Sequence, residues 1–450
     1  MRGKICLLIV YVLFYIRGPS SEAQTRVWSV DDCIQYALEK NIQVQQARLN
    51  NSVIEENLKY AKSARYPSLS ASARQNFDWA NKSNTTTGST VFTGTNGTNF
   101  SISSGLTIFN GFRIRNTVKK SETDFEAGKF NTDVIKENVS LNVLNAYLQV
   151  LYAEEQVKNS LNQVGSTSEQ LKLAEERMNL GVISNSDYLQ VKSQLAAEKL
   201  TLATSRSQLD INKVILMQLM ELPETSDFFI DHPNLDSLIN QRRNPDPQEV
   251  YKISLEIKPE VRNAELNKKS FRIDEELAMA DYFPHLSMDA GMATLYSSAN
   301  KGSLFAEQLK NNLSPAVGLS VSIPVLLNRQ VKTKVNIARL NTGNAELDEL
   351  NIKNQLRKAI EQACLDVTSS QTEYEASLQQ YQAAKESVDV ASEKYLQGLM
   401  NSVDFLIQKT SFISAESNSL QSKYKLIFSY KVLDFYTGQP LTFRPSGNIH

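Results

Sequence analysis

Two copies of one pattern, 217 residues apart, run through most of this chain. Pro67 of the first copy corresponds to Pro284 of the second, and a short turn that begins at Gly181 is repeated at Gly398. A constant offset in an otherwise diverged chain indicates an internal duplication, which constrains the fold before any local pattern does. A length prior would give 450 residues about three domains. The duplication favours two structural copies of one unit instead.

The first residues have the features of a secretory signal. Arg2 and Lys4 precede an apolar run over residues 5–16, and small residues follow up to Ala23. This order predicts a signal peptide over residues 1–23. The alternative, a membrane anchor, is disfavoured because a spanning helix needs about 20 apolar residues. Cys6 lies inside the run rather than at its end, which argues against a lipoprotein anchor.

Composition excludes several classes of protein. The chain is 22% charged and 41% hydrophobic with a net charge of −1, so nothing in its charge points to nucleic acid. Cys33 and Cys364 are the two cysteines left after cleavage, too few for a disulfide framework. No later apolar run is long enough for a transmembrane helix. A chain of this kind can enter a membrane only through strands that close on themselves.

Hydrophobic periodicity predicts the same order of elements in both repeats: helix, strand, strand, long helix, short helix. The helix over 31–65 ends at Pro67, because the residue before a proline avoids helical geometry. The first repeat covers residues 24–222, with strands at 67–80 and 99–109 and a polar loop between them. The second covers 248–436, with strands at 284–296 and 313–324. A connector over 223–247 joins the repeats, and residues 437–450 form a tail.

The four predicted strands alternate small polar with aliphatic residues. Their length suits tilted membrane strands of about 9–11 residues, and one polar face with one apolar face suits a wall between water and lipid. A soluble sandwich is the alternative, but no partner sheet is left for it. Four strands are too few to close a barrel, so the chain must oligomerise; the pattern alone allows a dimer or a higher assembly.

Short motifs recur in a fixed order along the chain. They are Trp28-Ser29 with Cys33-Ile34 and Ala37-Leu38, Tyr66-Pro67 and Phe283-Pro284 before strands, Asn110-Gly111-Phe112-Arg113 and Ile323-Pro324 after strands, and the two Gly-to-Asp turns. Each motif alone is weak, but their joint order resembles the TolC-like outer-membrane efflux protein family over nearly the whole mature chain.

The resemblance implies a fold that is mainly α with a membrane β-barrel. Three identical chains would share twelve strands in the outer membrane and twelve helices in a periplasmic α-barrel. It implies an exit duct that passively conducts substrates outward in a tripartite efflux or type I secretion system. Its partners would be a periplasmic membrane-fusion adaptor, an inner-membrane pump of the RND or ABC type and outer-membrane lipid. No catalysis, cofactor, metal or nucleic acid is expected.

The two turns are the candidate docking sites. A glycine suits the left-handed position that ends a helix, and a polar residue followed three positions later by aspartate suits the start of the next. Local capping is the simple interpretation, and adaptor contact is what the resemblance adds. The candidate residues are Gly181, Val182, Ser184, Asp187, Gly398, Leu399, Asn401 and Asp404.

A closed duct also needs side chains that cross its lumen. The family commonly uses aspartates with an Arg/Tyr network near the tip, and this chain has no aspartate pair that aligns. The candidates are Glu373, Tyr374, Tyr381 and Glu386. A solvated helix face, or packing between two helices, explains each of them taken singly.

Two other functional classes compete with the duct. A structural coiled-coil scaffold in the periplasm, without a conducting pore, would explain the helices but not four alternating segments tied to helix breaks. An enzyme would need a clustered catalytic constellation, and the sequence contains no nucleophile–base motif, phosphate loop or metal box. The cargo, whether drug, metal or polypeptide, cannot be deduced from this chain.

Overall fold

The computed structural model describes residues 27–83, 88–223, 228–240, 242–300 and 302–443. The predicted signal peptide and the last seven residues of the predicted tail lie outside these ranges. The described part of the chain is mostly helical, and none of its helices is both long and apolar enough to cross a membrane.

Ten α-helices and six strands follow one another in these ranges, with one 3₁₀ turn at Ala280–Tyr282. The first repeat holds β1 (Val27–Trp28), α1 (Val30–Lys40), α2 (Ile42–Ser63), β2 (Ser68–Ser83), β3 (Thr90–Asn110), α3 (Arg113–Asn179) and α4 (Asn185–Leu219). A connecting segment holds β4 (Phe229–Ile230) and α5 (Asp236–Ile239). The second repeat holds α6 (Pro247–Ile257), α7 (Pro259–Met279), β5 (His285–Ser297), α8 (Phe305–Asn311), β6 (Ser314–Ser322), α9 (Gln330–Leu396) and α10 (Ser402–Tyr436).

The offset of 217 residues between the sequence repeats also separates the equivalent helices. The long helices α3 and α9 have 67 residues each, and the shorter α4 and α10 have 35 each. Both ends of α9 and of α10 lie 217 residues after those of α3 and α4. The two repeats therefore keep the lengths of these helices, whereas their strands differ: β3 has 21 residues and its counterpart β6 has 9.

Each predicted first helix is in fact two helices. The sequence predicts one helix over 31–65, but the chain leaves helical geometry at Asn41, with φ −57° and ψ 131°. The buried Asn41 amide donates to the Leu219 carbonyl at 2.9 Å and its oxygen accepts the Gln43 N–H at 2.9 Å. Lys258 breaks the second repeat in the same way, because it precedes Pro259.

The chain divides into two compact units. Among the described residues, one unit comprises 27–46, 134–258 and 356–443, and the other comprises 47–133 and 259–355. In the first unit, Tyr147 on α3 is fully buried within an apolar cluster that includes Trp28, Leu216 and Ile427. Its hydroxyl donates to the Asp231 carbonyl at 2.7 Å, and burial raises the pKa of the phenol far above its ordinary value. The short parallel pair β1/β4 belongs to this core.

The second unit holds a four-stranded antiparallel sheet in the order β2-β3-β5-β6. The first two strands are longer than predicted, because residues 81–83 and 90–98 of the Thr/Asn/Gly-rich stretch expected to be a loop over 81–98 continue the pairing. Asn81 lies opposite Phe92 and Asn96 opposite Phe77. Polar composition was a misleading signal here, since small polar residues on both strands pair as well as apolar ones. Part of the second predicted loop forms helix α8.

The sheet has one aliphatic face. Register places Ala71 opposite Ile102 and Ile102 opposite Met292, so these side chains point the same way. On the other face, hydroxyls of Ser70 and Ser103 lie 2.9 Å apart. We call the face that carries Ala71, Ile102 and Met292 the aliphatic face.

Candidate docking tips

The first tip joins α3 to α4. Gly181 has φ +69°, its N–H donates to the Met178 carbonyl at 2.9 Å, and the Val182 N–H donates to the Arg177 carbonyl at 2.9 Å. These two bonds form the Schellman motif, which satisfies carbonyls that the end of a helix leaves free. A Cβ on Gly181 would meet nothing within 4 Å, so the glycine is needed for its backbone angle and not for space.

Helix α4 then begins with a capping box. The Ser184 hydroxyl accepts the Asp187 N–H at 3.2 Å, and the Asp187 carboxylate accepts the Ser184 N–H at 3.3 Å. Each side chain satisfies a backbone donor of the other, which stabilises a helix start by about 1 kcal/mol. These hydrogen bonds confirm the predicted capping role of Ser184 and Asp187.

The second tip repeats this geometry between α9 and α10. Gly398 has φ +76°, and the Leu399 N–H donates to the Lys394 carbonyl at 2.8 Å. Asn401 replaces serine as the cap: its oxygen accepts the Asp404 N–H at 2.8 Å, and its amide donates to the Asp404 carboxylate at 2.9 Å. The two turns are thus one structural solution used twice.

The two tips are tied to each other. The Arg177 guanidinium donates to the Tyr395 carbonyl at 3.1 Å and also to the Leu396 carbonyl. The Ser402 hydroxyl donates to the Asp187 carboxylate at 2.5 Å. That bond, with the one from Ser184, holds the pKa of the Asp187 carboxyl below its ordinary value. The Gly181 and Gly398 turns therefore form one surface.

Apolar side chains on this surface face solvent. Val182 is 69% exposed and Leu399 is 73% exposed, and Leu180 beside them is exposed as well. Below them Tyr395 stacks on Phe405 at a centroid distance of 4.9 Å. Contiguous exposed apolar side chains often mark a protein contact site, which is why this surface is the candidate site.

The sequence did not predict a buried cluster of charged residues that lies below the tips. Lys409 on α10 forms an ion pair of 3.1 Å with Glu198 on α4, and both side chains are at most 6% exposed. The Thr167 hydroxyl on α3 donates to Glu198 and accepts from Lys409. Burial lowers the pKa of Lys409, although the charge of Glu198 opposes that shift. Three helices are joined here by residues far apart in sequence, and no local spacing announces such a contact.

The four predicted gate residues do not form one cluster. Glu373 pairs with Lys425 at 2.6 Å, and the Tyr381 ring lies 5.9 Å from Phe412, so both contact helix α10. Tyr374 is half-buried and Glu386 is exposed. Among the residues that the structure describes, no hydrogen bond or ion pair joins two of these four side chains.

Comparison with known proteins decides the family. A family profile described as "Outer membrane efflux protein" matches residues 33–221 and 250–439, which is one match to each repeat. The chain belongs to the outer membrane efflux protein family. Members are outer-membrane channels rather than enzymes, and the predicted family, transport role and outer-membrane location are confirmed.

Two outer-membrane proteins are similar in sequence to most of this chain. The outer membrane efflux protein BepC of Brucella suis is 20% identical over 403 residues, which cover 88% of this chain and 83% of BepC. The outer membrane protein TolC of Escherichia coli is 22% identical over 324 residues, covering 70% of this chain and 63% of TolC.

Solved structures share the fold at low identity. A structure of CusC superposes with a TM-score of 0.76 at 16% identity, covering 93% of this chain and 96% of CusC. The outer-membrane channel OprN gives 0.74 at 19% identity, covering 92% of this chain and 90% of OprN. The open state of Neisseria gonorrhoeae MtrE gives 0.72 at 19% identity, covering 93% and 91%.

Proposed function

We propose that this chain is the outer-membrane exit duct of a tripartite efflux or type I secretion system, assembled from three copies. In this proposal, residues 223–247 and the tail form a belt around a periplasmic tunnel built from the long helices. Substrates pass without chemistry from an inner-membrane pump of the RND or ABC type and a periplasmic membrane-fusion adaptor. The rival is a periplasmic coiled-coil scaffold without a pore.

The observation that carries the proposal is the sheet with two unpaired edges. Strands β2 and β6 lie at the ends of the order β2-β3-β5-β6, and among the described strands neither has a second neighbour. An outer-membrane protein cannot leave such edges in lipid, because each unpaired backbone group costs several kcal/mol there. Other copies must pair with them. Two copies would give eight strands and three copies twelve, and the family resemblance favours three.

The helices next to these edges carry exposed apolar rows. Helix α2 leads into β2, and α9 follows β6. Leu340 and Leu347 on α9 are seven residues apart and exposed, as coiled-coil seam residues are in a chain without its partner. The rows comprise Leu49, Val53 and Tyr60 on α2 and Ile337, Leu340, Leu347 and Leu350 on α9. Both flanks thus present a surface for a second copy at the level where the strand edges need one.

Two charged substitutions in the apolar row of α9 test the assembly. We expect the double variant Leu340→Asp/Leu347→Asp to lose the heat-modifiable trimer on gels of outer-membrane fractions, because buried unpaired charges are strongly unfavourable. Asn341→Asp is the matched control: it repeats the acidic residue found at Asp348 one heptad later and lies beside the row. Trimers of normal stability from the double variant would refute the seam.

The tips are proposed as the adaptor contact. Their candidate residues remain Gly181, Val182, Ser184, Asp187, Gly398, Leu399, Asn401 and Asp404. We expect Gly181→Asp/Gly398→Asp to keep trimers and abolish export, since a charge and a side chain at positive φ alter this surface alone. Drug or protein export from a complemented deletion strain provides the measurement. Normal export from that variant would remove the docking proposal.

Conductance separates a duct from a scaffold. The purified trimer is expected to conduct in planar lipid bilayers, whereas a scaffold gives no current. Glu373, Tyr374, Tyr381 and Glu386 remain the proposed gate, so alanine at each should raise the open fraction. Unchanged conductance in all four would reject them as a gate and leave the duct standing.

A further inference from the structure

The middle of the sheet's second face is built from small residues. We call this face, which lies opposite the aliphatic face and carries Ser70 and Ser103, the polar face. Cross-strand register divides its middle into successive rows of four residues. The rows are Ser68, Gly105, Asp289 and Gly318, then Ser70, Ser103, Gly291 and Ala316, then Ser72, Ser101, Ala293 and Ser314. Asp289 is the one residue of these rows with a charged side chain.

Asp289 has a glycine beside it on each neighbouring strand. Gly105 on β3 and Gly318 on β6 are its partners in the two ladders. A Cβ at Gly105 would lie 3.3 Å from the Asp289 carboxylate oxygen, so a side chain there would crowd the carboxylate. A Cβ at Gly318 would meet nothing within 4 Å. The carboxylate therefore stands in open space along its row, and no bulky neighbour keeps a passing solute away from it.

The charge of Asp289 is not neutralised by a partner. Its side chain is exposed, and no hydrogen bond or ion pair joins it to a residue that the structure describes. The hydroxyls nearby pair with the wall itself: Ser68 donates to the Gly105 carbonyl at 3.4 Å, and the hydroxyls of Ser70 and Ser103 lie 2.9 Å apart. The polar face thus presents one unpaired anion in a wall of small, neutral groups.

The described basic residues of the polar face lie far from Asp289. Arg74 belongs to the row of Asn99 and Leu295, and Leu295 is six residues from Asp289 along β5. That separation is about 20 Å, since a strand rises roughly 3.3 Å per residue. His285 is four residues away in the other direction, which is about 13 Å. Salt at physiological strength screens exposed charges beyond about 8 Å, so Asp289 dominates the potential of its row.

We propose that Asp289 is the charge filter of the pore and gives the duct a preference for cationic solutes. The inference rests on the proposed function, in which the aliphatic face meets lipid and the polar face lines the lumen. Three copies then bring three Asp289 carboxylates to one level of the barrel. Rings of carboxylates select cations in other channels, and lumen residues tune the selectivity of barrels. Since this chain has no aligned pair of tip aspartates, the filter is assigned to the barrel and not to the tips.

Reversal potentials in planar lipid bilayers test the filter. Trimers of the wild type and of variants are compared across a KCl gradient. The wild type should favour K⁺ over Cl⁻, and Asp289→Asn should lower that permeability ratio about twofold, the effect of one unit charge on a monovalent ion about 10 Å away in water. Asp289→Lys should reverse the preference. Asp289→Glu is the matched control, because it keeps the charge and should keep the ratio.

A second control removes the same charge elsewhere on this face. Asp78 lies opposite Thr95 at the loop end of β2, on the strand that also carries Arg74. Asp78→Asn should change the permeability ratio less than Asp289→Asn does, because an opposite charge on the same strand already offsets part of its potential. An equal effect of the two substitutions would show that no single carboxylate is the filter.

A thiol placed beside Asp289 measures the local potential without relying on current. Ser320 lies opposite Ser287, which makes it the diagonal neighbour of Asp289 at about 7–8 Å. Cys33 and Cys364 are buried, so Ser320→Cys should supply the reactive thiol. A cationic methanethiosulfonate reagent should modify it faster than an anionic one of similar size. Adding Asp289→Asn to the same protein should remove that difference.

The outcomes separate the filter from the duct. An unchanged K⁺/Cl⁻ ratio in Asp289→Asn, with trimers intact on gels, would overturn the filter and leave the duct standing. Equal rates of the two reagents with Ser320→Cys alone would overturn it as well. A wild type that conducts no current would refute the proposed function, and a thiol at this position that neither reagent reaches would refute a water-filled lumen.

Discussion

Equivalent places in the two repeats are stabilised by different chemistry. In the second repeat, Glu349 on α9 is 10% exposed, accepts from Lys353 at 2.5 Å and pairs with Lys268. The residue 217 positions earlier is Thr132, whose hydroxyl donates to the Gly128 carbonyl of its own helix at 2.9 Å. One backbone arrangement therefore accepts either a charge network or a hydroxyl satisfied by its own helix.

The first repeat also leaves a buried polar atom unsatisfied at this place. Gly128 is the counterpart of Ala345, and a Cβ there would lie 2.3 Å from the Asn51 side-chain oxygen. That buried oxygen has no hydrogen-bond partner among the described residues. A cavity of about 420 Å³ lined by Asn57 and Asn131 lies beside it. The comparison teaches that a duplicated unit can keep its helix lengths and turns while its polar interior diverges.

We expect the largest effect when Glu349 is replaced by threonine, the residue at the equivalent position of the first repeat. Glu349→Thr leaves Lys268 and Lys353 without their shared anion. We expect the free energy of unfolding to fall by about 3 kcal/mol, the lower limit for breaking a buried pair, because both lysines reach solvent. Denaturant titration followed by helical circular dichroism provides the measurement.

The control for that exchange lies on the same helix. Glu346 pairs with Arg272 at 2.7 Å, but both side chains are about half exposed. Glu346→Thr should cost less than about 1 kcal/mol, as surface ion pairs do. Equal losses from the two variants would mean that burial does not distinguish the Glu349 network.

The next largest effect on stability is expected at the two strand-to-helix junctions. Gly111 has φ +65°, and its counterpart Asn328 has φ +42°. A Cβ at Gly111 would lie 2.4 Å from the Ala280 carbonyl oxygen, so Gly111→Asn must displace backbone and should cost about 1–3 kcal/mol. Asn328→Gly should change stability by less than about 1 kcal/mol, because the flexibility it adds offsets the strain it relieves. A tolerated Gly111→Asn, measured in the same titration, would contradict the close approach.

The parts of this molecule that the sequence predicted well are those with local causes. A glycine that needs positive φ and a cap with an acid three positions later are encoded within a few residues, so both tips could be placed before the structure. Long helices are equally predictable, because apolar periodicity accumulates over many turns. The same applies to the offset between repeats.

What the sequence did not predict depends on contacts over long distances in the chain. The break at Asn41 requires the Leu219 carbonyl, and the Lys409–Glu198 pair joins residues on α10 and α4. The strand residues 81–83 and 90–98 were missed for another reason: composition suggested a loop, whereas pairing between two polar segments satisfies their backbone groups. The predicted gate residues remain a prediction, since lumen contacts depend on other copies.

The smallest effect is expected at the hydrogen bond from Ser402 to Asp187, one of the links between the two tips. Ser402 on α10 donates to Asp187, while its counterpart in the first repeat is Asn185, an exposed residue. Ser402→Ala should raise the pKa of Asp187 towards its ordinary value of 3.8, and Asn185→Ala should leave it unchanged. An NMR titration of the labelled carboxyl measures both.

The sign of the pH dependence follows from the direction of that shift. A carboxyl whose pKa is lowered in the folded state contributes stability above the unfolded value, and that stability is lost as the pH falls through the folded value. The tip of the wild type should therefore loosen only below about pH 4, and Ser402→Ala should remove part of this dependence. Amide exchange at Gly181 and Val182 reports the loosening. If Ser402→Ala left both the titration and the exchange unchanged, the Ser402–Asp187 bond would not stabilise the first turn, and the Arg177 bonds alone would join the two turns.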